Sequence, residues 1–415
     1  MEHEELLKTI EEYHQNTDEN IIGVGYGYKT INGILTDEKS IVFSVKEKIP
    51  KDQLTEDQLL PNEININDQL IKTDVVQKDF KLLGCDPGFY LWSGITISNR
   101  NIFRPVKGGI SASNITSMPN STGTMGFIAR DNDTNSVVGV SNNHVFINDA
   151  FICSERSSTS IISNVKNDIV TQPHESISDN HPIGVVKKYY PISSNGYNYV
   201  DVALTTINSG DTFSNNISYK YEGLSFTNPL PFATTEEINN ILIPGSASYN
   251  PLLYSAGRTT GGKGQGITKL RVSQFPSVIS NIYYKKQGNY VNVSYSDLIE
   301  FVATTGSTQP MHPDCPYPIN HGDSGSALIA DFSGTKKIIG LVFAGSYIGN
   351  DCYYGYACRI DRIASSMNIS AWDGGTINFS NTNNILEHTI NGLSNQVSVV
   401  LSGKTYWQVG LKTIK

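Results

Sequence analysis

Long apolar runs are missing from this sequence, so no segment reads as a membrane-crossing helix. The opening stretch, MEHEELLKTIEEYHQ, is acidic and amphipathic and lacks the basic and apolar blocks of a secretory leader. Cysteine is scarce and odd in number, with five in 415 residues. The expectation is therefore a cytoplasmic protein in which Cys85, Cys153, Cys315, Cys352 and Cys358 are reduced thiols. Triplets such as Asn114-Ile115-Thr116 are then by-products of an Asn-rich chain rather than glycan sites. Basic residues are also few: 31 Lys and Arg against 39 Asp and Glu give a net charge of −8, which argues against a broad nucleic-acid-binding face. There is no fixed-period repeat, and no helix–strand alternation of the kind a parallel α/β sheet requires.

What is present points to a mainly β globular protein. Hydrophobic residues make up 38% and charged residues 17%, enough apolar surface for sizeable cores. The 36 Gly, 17 Pro and 22 Tyr favour turns and strands. Residues 1–80 read as a small α+β domain. Leu6, Leu7, Ile10 and Tyr13 have helical spacing, and strand-like runs at 21–30 and 34–48 flank Asn32-Gly33, a hairpin turn signal. A helical patch at 51–60 stops at Pro61, and 70–76 suits a closing strand. Residues 81–107 read as an irregular connector. From 108 to 367 short β-rich runs suit two antiparallel barrels, with a break near 209–246, and 368–415 reads as a short β appendage.

The sharpest local signal is His321-Gly322-Asp323-Ser324-Gly325-Ser326-Ala327-Leu328. A serine hydroxyl needs a neighbouring base to become a nucleophile. It also needs a tight turn whose amides face the developing oxyanion. The glycines permit that turn, and the Gly322 and Ser324 amides are the expected donors, each worth roughly 3 kcal/mol in the transition state. The same letters also spell an ordinary turn between strands. The base is expected at His144, which follows a strand-like run at 137–140 and leads into Val145-Phe146. His174, His181, His312 and His321 compete for that role with less suitable surroundings, and His321 is expected at the rim of the substrate cleft. Asp201, set in Tyr199-Val200-Asp201-Val202-Ala203-Leu204, is costly to bury without a partner, and an imidazole N–H would serve. Asp168, Asp179 and Asp211 sit in polar loops.

The order His, Asp, Ser, the D-V-A-L run and G-D-S-G together resemble the chymotrypsin family of serine proteases. More narrowly, they resemble its trypsin-like bacterial branch without secretion signals. S-N-N-H-V at 141–145, G-R-T-T-G at 257–261 and L-x-F-A-G-S at 341–346 carry that likeness over residues 100–367, with a weaker echo in GVGYGYK. The resemblance implies two six-stranded antiparallel β-barrels and a serine endopeptidase with catalytic His144, Asp201 and Ser324. It implies limited proteolysis of an intracellular protein, with no metal or organic cofactor. It also implies a first specificity pocket bounded by the segment around Pro318, by Phe343-Ala344-Gly345 and by the strand at Gly355, with Gly345 bonding an extended substrate. Pro318 stands where trypsin-like members carry a selecting acid, so an uncharged substrate side chain is expected.

Several features depart from the pattern. Val145 and Asn320 occupy places where secreted relatives have bridging cysteines, and no activation cut site is apparent before the first barrel. Asp323 is therefore expected to find a partner other than a new N-terminus, leaving the protease unit constitutively formed. GRTTGGKG at 257–264 falls short of a phosphate loop because Gly264 replaces the Mg²⁺-binding hydroxyl, and 131–135 falls short of a calcium loop. His312, Cys315, Cys352 and Cys358 lack a paired zinc spacing. Two other classes stay open: a protease fold used for binding with its cleft blocked, and an assembly protein of a phage or mobile element. The N-terminal domain is open to three roles, as an inhibitory cap, a docking module or a brace.

Overall fold

The computed structural model describes residues 2–15, 18–31, 34–83, 99, 101–118, 121–147, 152–153, 168–173, 181–208, 212–218, 225–226, 230–263, 269–286, 289–304, 318–348, 351–372, 377–378, 385–386, 399–401, 405–409 and 412–414. These residues are mainly β. Among them no helix is long and apolar enough to cross a membrane.

Helix α1 (His3–Gln15) buries Leu6, Leu7 and Ile10, one stripe of an amphipathic surface. Leu6 and Ile10 pack with Val24, Ile41 and Phe43 of strands β1 (Ile21–Ile31) and β2 (Ile34–Val45). The two strands pair antiparallel down to Ile31↔Ile34, and the Asn32-Gly33 turn itself lies outside the described residues. The expected helix at 51–60 is instead two single 3-10 turns, Lys51–Gln53 and Glu56–Gln58. Thr55 is extended between them and forms a capping box with Gln58, which restarts the chain. Strands β3 (Glu63–Ile66) and β4 (Gln69–Gln77) form a hairpin, and β4 lies parallel to β2. Strand β5 (Phe80–Leu82) follows at once.

One sheet is built from β6 (Ile110–Asn114), β7 (Gly123–Met125), β8 (Phe127–Asp131), β9 (Ser136–Ser141), β10 (Ile169–Thr171), β11 (Pro182–Tyr189) and β12 (Ala203–Thr206). With the late strand Ile369–Ala371 the order is Ile369–Ala371, β8, β9, β12, β11, β10, β6, β7. Only Gly126 separates β7 from β8, so the sheet curls until its far strand runs into its near one. The other sheet contains β13 (Leu252–Gly257), β14 (Lys269–Lys286), β15 (Asn289–Thr304), β16 (Ala327–Phe332), β17 (Thr335–Ile348) and β18 (Asp351–Arg359). These six close a ring in the order β15, β18, β17, β16, β13, β14 and back to β15. The expected pair of clean six-stranded barrels is thus reduced to one closed ring of six and one curled sheet of eight.

The N-terminal strands extend the ring's sheet directly. β1 pairs antiparallel with β14 at Gly23↔Ile279, Val24↔Val278, Gly25↔Ser277 and Gly27↔Gln274. The alternating glycines of GVGYGYK face β14, where a Cβ would stand 2.8 Å from the Val278 carbonyl at Gly23 and 2.0 Å from the Ser273 carbonyl at Gly27. Close backbone approach therefore explains that repeat. Two buried polar contacts add to the seam. His3 Nε2 lies 2.9 Å from Asp297 Oδ1, whose carboxylate also accepts from Arg359 and Arg362. Lys78 Nζ donates to Glu300 Oε2 at 2.5 Å. The segment after 367 starts inside the main body, since Ile369–Ala371 pairs with β8, and it also holds a four-stranded sheet from Ile385–Leu386 to Lys412–Ile414.

Candidate active site

His144 sits on a single helical turn, Asn143–Phe146, directly after β9. Side chains of the same S-N-N-H run fix its place. Ser141 Oγ donates to the Thr124 carbonyl at 2.7 Å, Asn142 Nδ2 to the Asp201 carbonyl at 2.7 Å, and Asn143 Nδ2 to the Tyr190 carbonyl at 2.6 Å. The second of these ties the histidine turn to the residue that meets its ring. His144 Nδ1 lies 2.6 Å from Asp201 Oδ2, and Nε2 lies 2.7 Å from Ser324 Oγ. With Asp201 accepting from Nδ1–H, Nε2 is the lone-pair nitrogen and accepts from the serine hydroxyl. The three residues named from the sequence are therefore brought together, all buried.

Asp201 is fully buried, so its charge needs several donors. Oδ1 accepts from the His144 amide at 3.3 Å, and Oδ2 also accepts from Tyr284 Oη at 2.5 Å. Tyr284 in turn lies 2.6 Å from Tyr295 Oη. Burial, and then the charge of Asp201, pushes the Tyr284 phenol well above its ordinary range, so it stays a donor. Neither tyrosine was singled out in the sequence. Both lie in the long strands β14 and β15 of a Tyr-rich chain, and no local pattern marks which of 22 tyrosines reaches the carboxylate.

The turn that carries Ser324 has Gly322 at φ 93° and Gly325 at φ 90°, left-handed angles that a side chain resists. At Gly325 a Cβ would also stand 2.1 Å from the Thr124 carbonyl. Asp323 is buried beneath the turn. Its Oδ1 accepts from the Thr259 and Thr260 amides at 2.8 and 3.1 Å, and its Oδ2 from the Asn320 amide at 2.9 Å. Burial pushes this carboxyl up, and the three amides act against that shift. The expected alternative partner of Asp323 is thus the G-R-T-T-G turn that links β13 to Gly261–Lys263. Thr124 fastens the turn from the other sheet: its amide donates to the Ser324 carbonyl at 2.8 Å and its hydroxyl to the Gly322 carbonyl at 2.8 Å.

The expected pocket residues are spread around this turn. Pro318 is buried before it, and the His321 ring stacks on Tyr347 with centroids 5.2 Å apart. On β17 the Phe343 carbonyl lies 3.3 Å from Ser324 Oγ, and Gly345 pairs with Gly355 on β18. At Gly355 a Cβ would stand 2.3 Å from Phe301, so no side chain projects there. The edge of β17 that was expected to bind an extended substrate holds β5, with Leu82 opposite Ala344, Lys81 opposite Gly345 and Phe80 opposite Ser346. Leu83 then donates its amide to the Phe343 carbonyl at 3.1 Å and accepts from the Gly322 amide at 2.6 Å.

Among the described residues no group of three or more His, Cys, Asp or Glu is arranged to hold a metal ion. His312 and Cys315 lie outside those residues. Cys358 is a buried free thiol, pushed well above its ordinary range by burial and then by the charge of Asp201.

No protein-family model matches the chain, and among curated proteins none matches it. Solved structures do match. One is a glutamic acid specific serine protease described as using a histidine triad in substrate binding, 13% identical, with a TM-score of 0.36 over 64% of this chain and 100% of that one. Protease A of Thermobifida fusca is 14% identical, with a TM-score of 0.36 over 65% of this chain and 99% of that one. Chymotrypsin of Cellulomonas bogoriensis is 12% identical, with a TM-score of 0.35 over 65% of this chain and 99% of that one.

Proposed function

We propose that the chain is a serine endopeptidase that hydrolyses peptide bonds through an acyl-enzyme, with Ser324 as nucleophile, His144 as general base and Asp201 as the group that orients the imidazole. One observation carries this reading. The His144 ring spans 2.6 Å to a buried carboxylate and 2.7 Å to a hydroxyl, beside an amide that donates to a peptide carbonyl. Ser324 Oγ attacks the substrate carbonyl while Nε2 takes its proton, and Asp201 stabilises the imidazolium that forms. The Gly322 and Ser324 amides hold the oxyanion. His144 then gives the proton to the leaving amine, and water repeats the sequence on the ester. We assign residues 108–367 to the protease unit, 1–80 to an N-terminal domain, 81–107 to a connector and 368–415 to an appendage.

A second reading is a protease fold used for binding with its cleft stopped, and the strand at Phe80–Leu82 favours it. A fluorophosphonate separates the two when applied to the full chain and to a Leu83→Asp variant, whose charge disfavours the buried position of that side chain. An enzyme is labelled at Ser324, and Ser324→Ala removes the label and slows peptide hydrolysis at least about 10³-fold. Hydrolysis at the wild-type rate in Ser324→Ala would refute the assignment.

A further inference from the structure

We propose that residues 80–83 are the enzyme's own substrate and that Ser324 cleaves the peptide bond between Leu83 and Gly84. This rests on the peptidase reading and names a substrate for it. Strand β5 runs antiparallel to β17 through Ala344, Gly345 and Ser346. The contacts do not stop at that ladder. Instead the chain continues so that the Leu83 amide donates to the Phe343 carbonyl, the same carbonyl that lies 3.3 Å from Ser324 Oγ. The Leu83 carbonyl then leaves the ladder and accepts from Gly322, an amide of the nucleophile turn, at 2.6 Å. Main-chain pairing on a sheet edge supplies affinity, and side chains buried at intervals supply selectivity. Phe80 and Leu83 are buried while Lys81 is exposed. Phe80 meets Tyr356 edge-on at 5.3 Å, and Leu83 has no exposure at all. The residue before the cut is thus a branched aliphatic one, in keeping with Pro318 where an acid would select Lys or Arg.

The chemistry balances without any added oxidant or cofactor. Ser324 Oγ bonds to the Leu83 carbonyl carbon as its proton passes to His144 Nε2. The C–N bond to Gly84 breaks, and that nitrogen takes the proton from His144. One water, deprotonated by His144, attacks the Leu83 ester. The ester C–O bond breaks, and the proton returns to Ser324. The products are residues 1–83, ending in a carboxylate, and residues 84–415, starting with an amine. The β1–β14 pairing and the His3–Asp297 and Lys78–Glu300 contacts do not depend on the broken bond, so the two pieces stay together with Leu83 still in the cleft.

The test is intact-mass spectrometry of the purified full chain over time, beside Ser324→Ala and Leu83→Asp chains, with each chain treated with a fluorophosphonate. The expected result is that wild-type protein becomes two co-eluting polypeptides divided at Leu83/Gly84, with masses summing to the chain plus one water. Ser324→Ala stays whole, and Leu83→Asp is not cut at that bond but is labelled at Ser324. The Leu83→Asp chain, its cleft vacated, also hydrolyses a Phe-Lys-Leu-Leu anilide, faster than the same peptide with a terminal Lys. Wild-type protein that stays whole while any chain is labelled at Ser324 overturns self-cleavage and leaves the peptidase reading standing. Cleavage at Leu83 in Ser324→Ala assigns the cut to another enzyme and also overturns it. Absence of both label and anilide hydrolysis in every chain removes the peptidase reading itself. The wild-type and Ser324→Ala pair reads the outcome even where Leu83→Asp fails to fold.

Discussion

Replacing Lys78 by Met should destabilise the protein in a pH-dependent way that a second substitution reverses. Lys78 and Glu300 have side-chain exposures of 0% and 1%, and the ammonium donates to Glu300 Oε2 at 2.5 Å. Burial pulls the Lys78 ammonium below its ordinary range, and the charge of Glu300 opposes that shift. Glu300 also accepts from Ser273 Oγ at 2.7 Å and from Tyr356 Oη at 2.5 Å. Methionine keeps most of the apolar stem and removes the positive charge. Glu300 is then a buried carboxylate with two hydroxyl donors and no counter-charge, and its cheapest course is to take a proton. Protonating a glutamate of ordinary pKa about 4.3 at pH 7 costs about 3.7 kcal/mol, which caps the loss and falls by about 1.4 kcal/mol for each pH unit of acidification. That cap lies within the roughly 3–5 kcal/mol found when one partner of a buried pair is removed. Lys78→Met with Glu300→Gln leaves no buried charge and keeps a carbonyl for the hydroxyls, so most of the loss should return. Urea unfolding at pH 7 and pH 6, in a Ser324→Ala background, measures all three chains. A loss that is the same at both pH values, or a double variant as weak as the single one, would show that the stranded charge is not its origin.

Acid should loosen the N-terminal helix. Burial lowers the His14 imidazole to about 4, while a backbone hydrogen bond at Ile22 acts the other way. A folded-state pKa below the unfolded value means that the unfolded chain binds the proton first. The stabilisation is therefore complete above about pH 6.5 and is lost as pH falls from there towards 4, by at most roughly 3 kcal/mol. The difference in urea midpoint between wild type and His14→Gln should change across that window, and a constant difference would contradict the reasoning. Asp323→Asn should harm catalysis more than folding. It removes a buried charge, yet it sets an NH₂ group against a backbone N–H. A shift of the turn by about 1 Å is worth about 10²-fold in rate. An unchanged kcat on the Phe-Lys-Leu-Leu anilide, measured in the Leu83→Asp chain, would show that Asp323 does not position the turn.

The parts of the site that could be read from the sequence are those whose chemistry is local. Gly322 and Gly325 flank Ser324 because the turn needs left-handed angles, and that requirement shows in the letters. The S-N-N-H run is legible for a similar reason, since three consecutive polar side chains each bond a backbone carbonyl within reach of the histidine. Tyr284 was not legible, because its link to Asp201 spans 83 residues and depends on how β14 crosses the buried carboxylate. The helix expected at 51–60 failed because apolar spacing does not register the extended backbone of Thr55. The pairing of the N-terminal strands with β14 was not legible, because alternation within β1 and β2 says nothing about which strand they meet. The pairing of β1 with β14 from Gly23 to Gly27 makes the sheet continuous.

The proposed serine nucleophile has two requirements, they fall to different parts of the chain, and they can be separated. The turn must be held so that its amides face the substrate carbonyl. Asp323 does this through the Thr259, Thr260 and Asn320 amides, and Thr124 does it from the other sheet. All of these groups lie between residues 124 and 323, so the turn needs no newly cut N-terminus to take its shape. The cleft must also be empty, and that condition is not met while residues 80–83 lie along β17. A formed turn with an occupied cleft turns the question from activation by insertion to activation by departure. On the proposed peptidase reading, activity is limited by the release of Leu83 from the Gly322 amide and the Phe343 carbonyl. Loss of the Lys78 charge, which weakens the seam holding residues 1–83, should therefore speed labelling of Ser324 without altering the triad geometry.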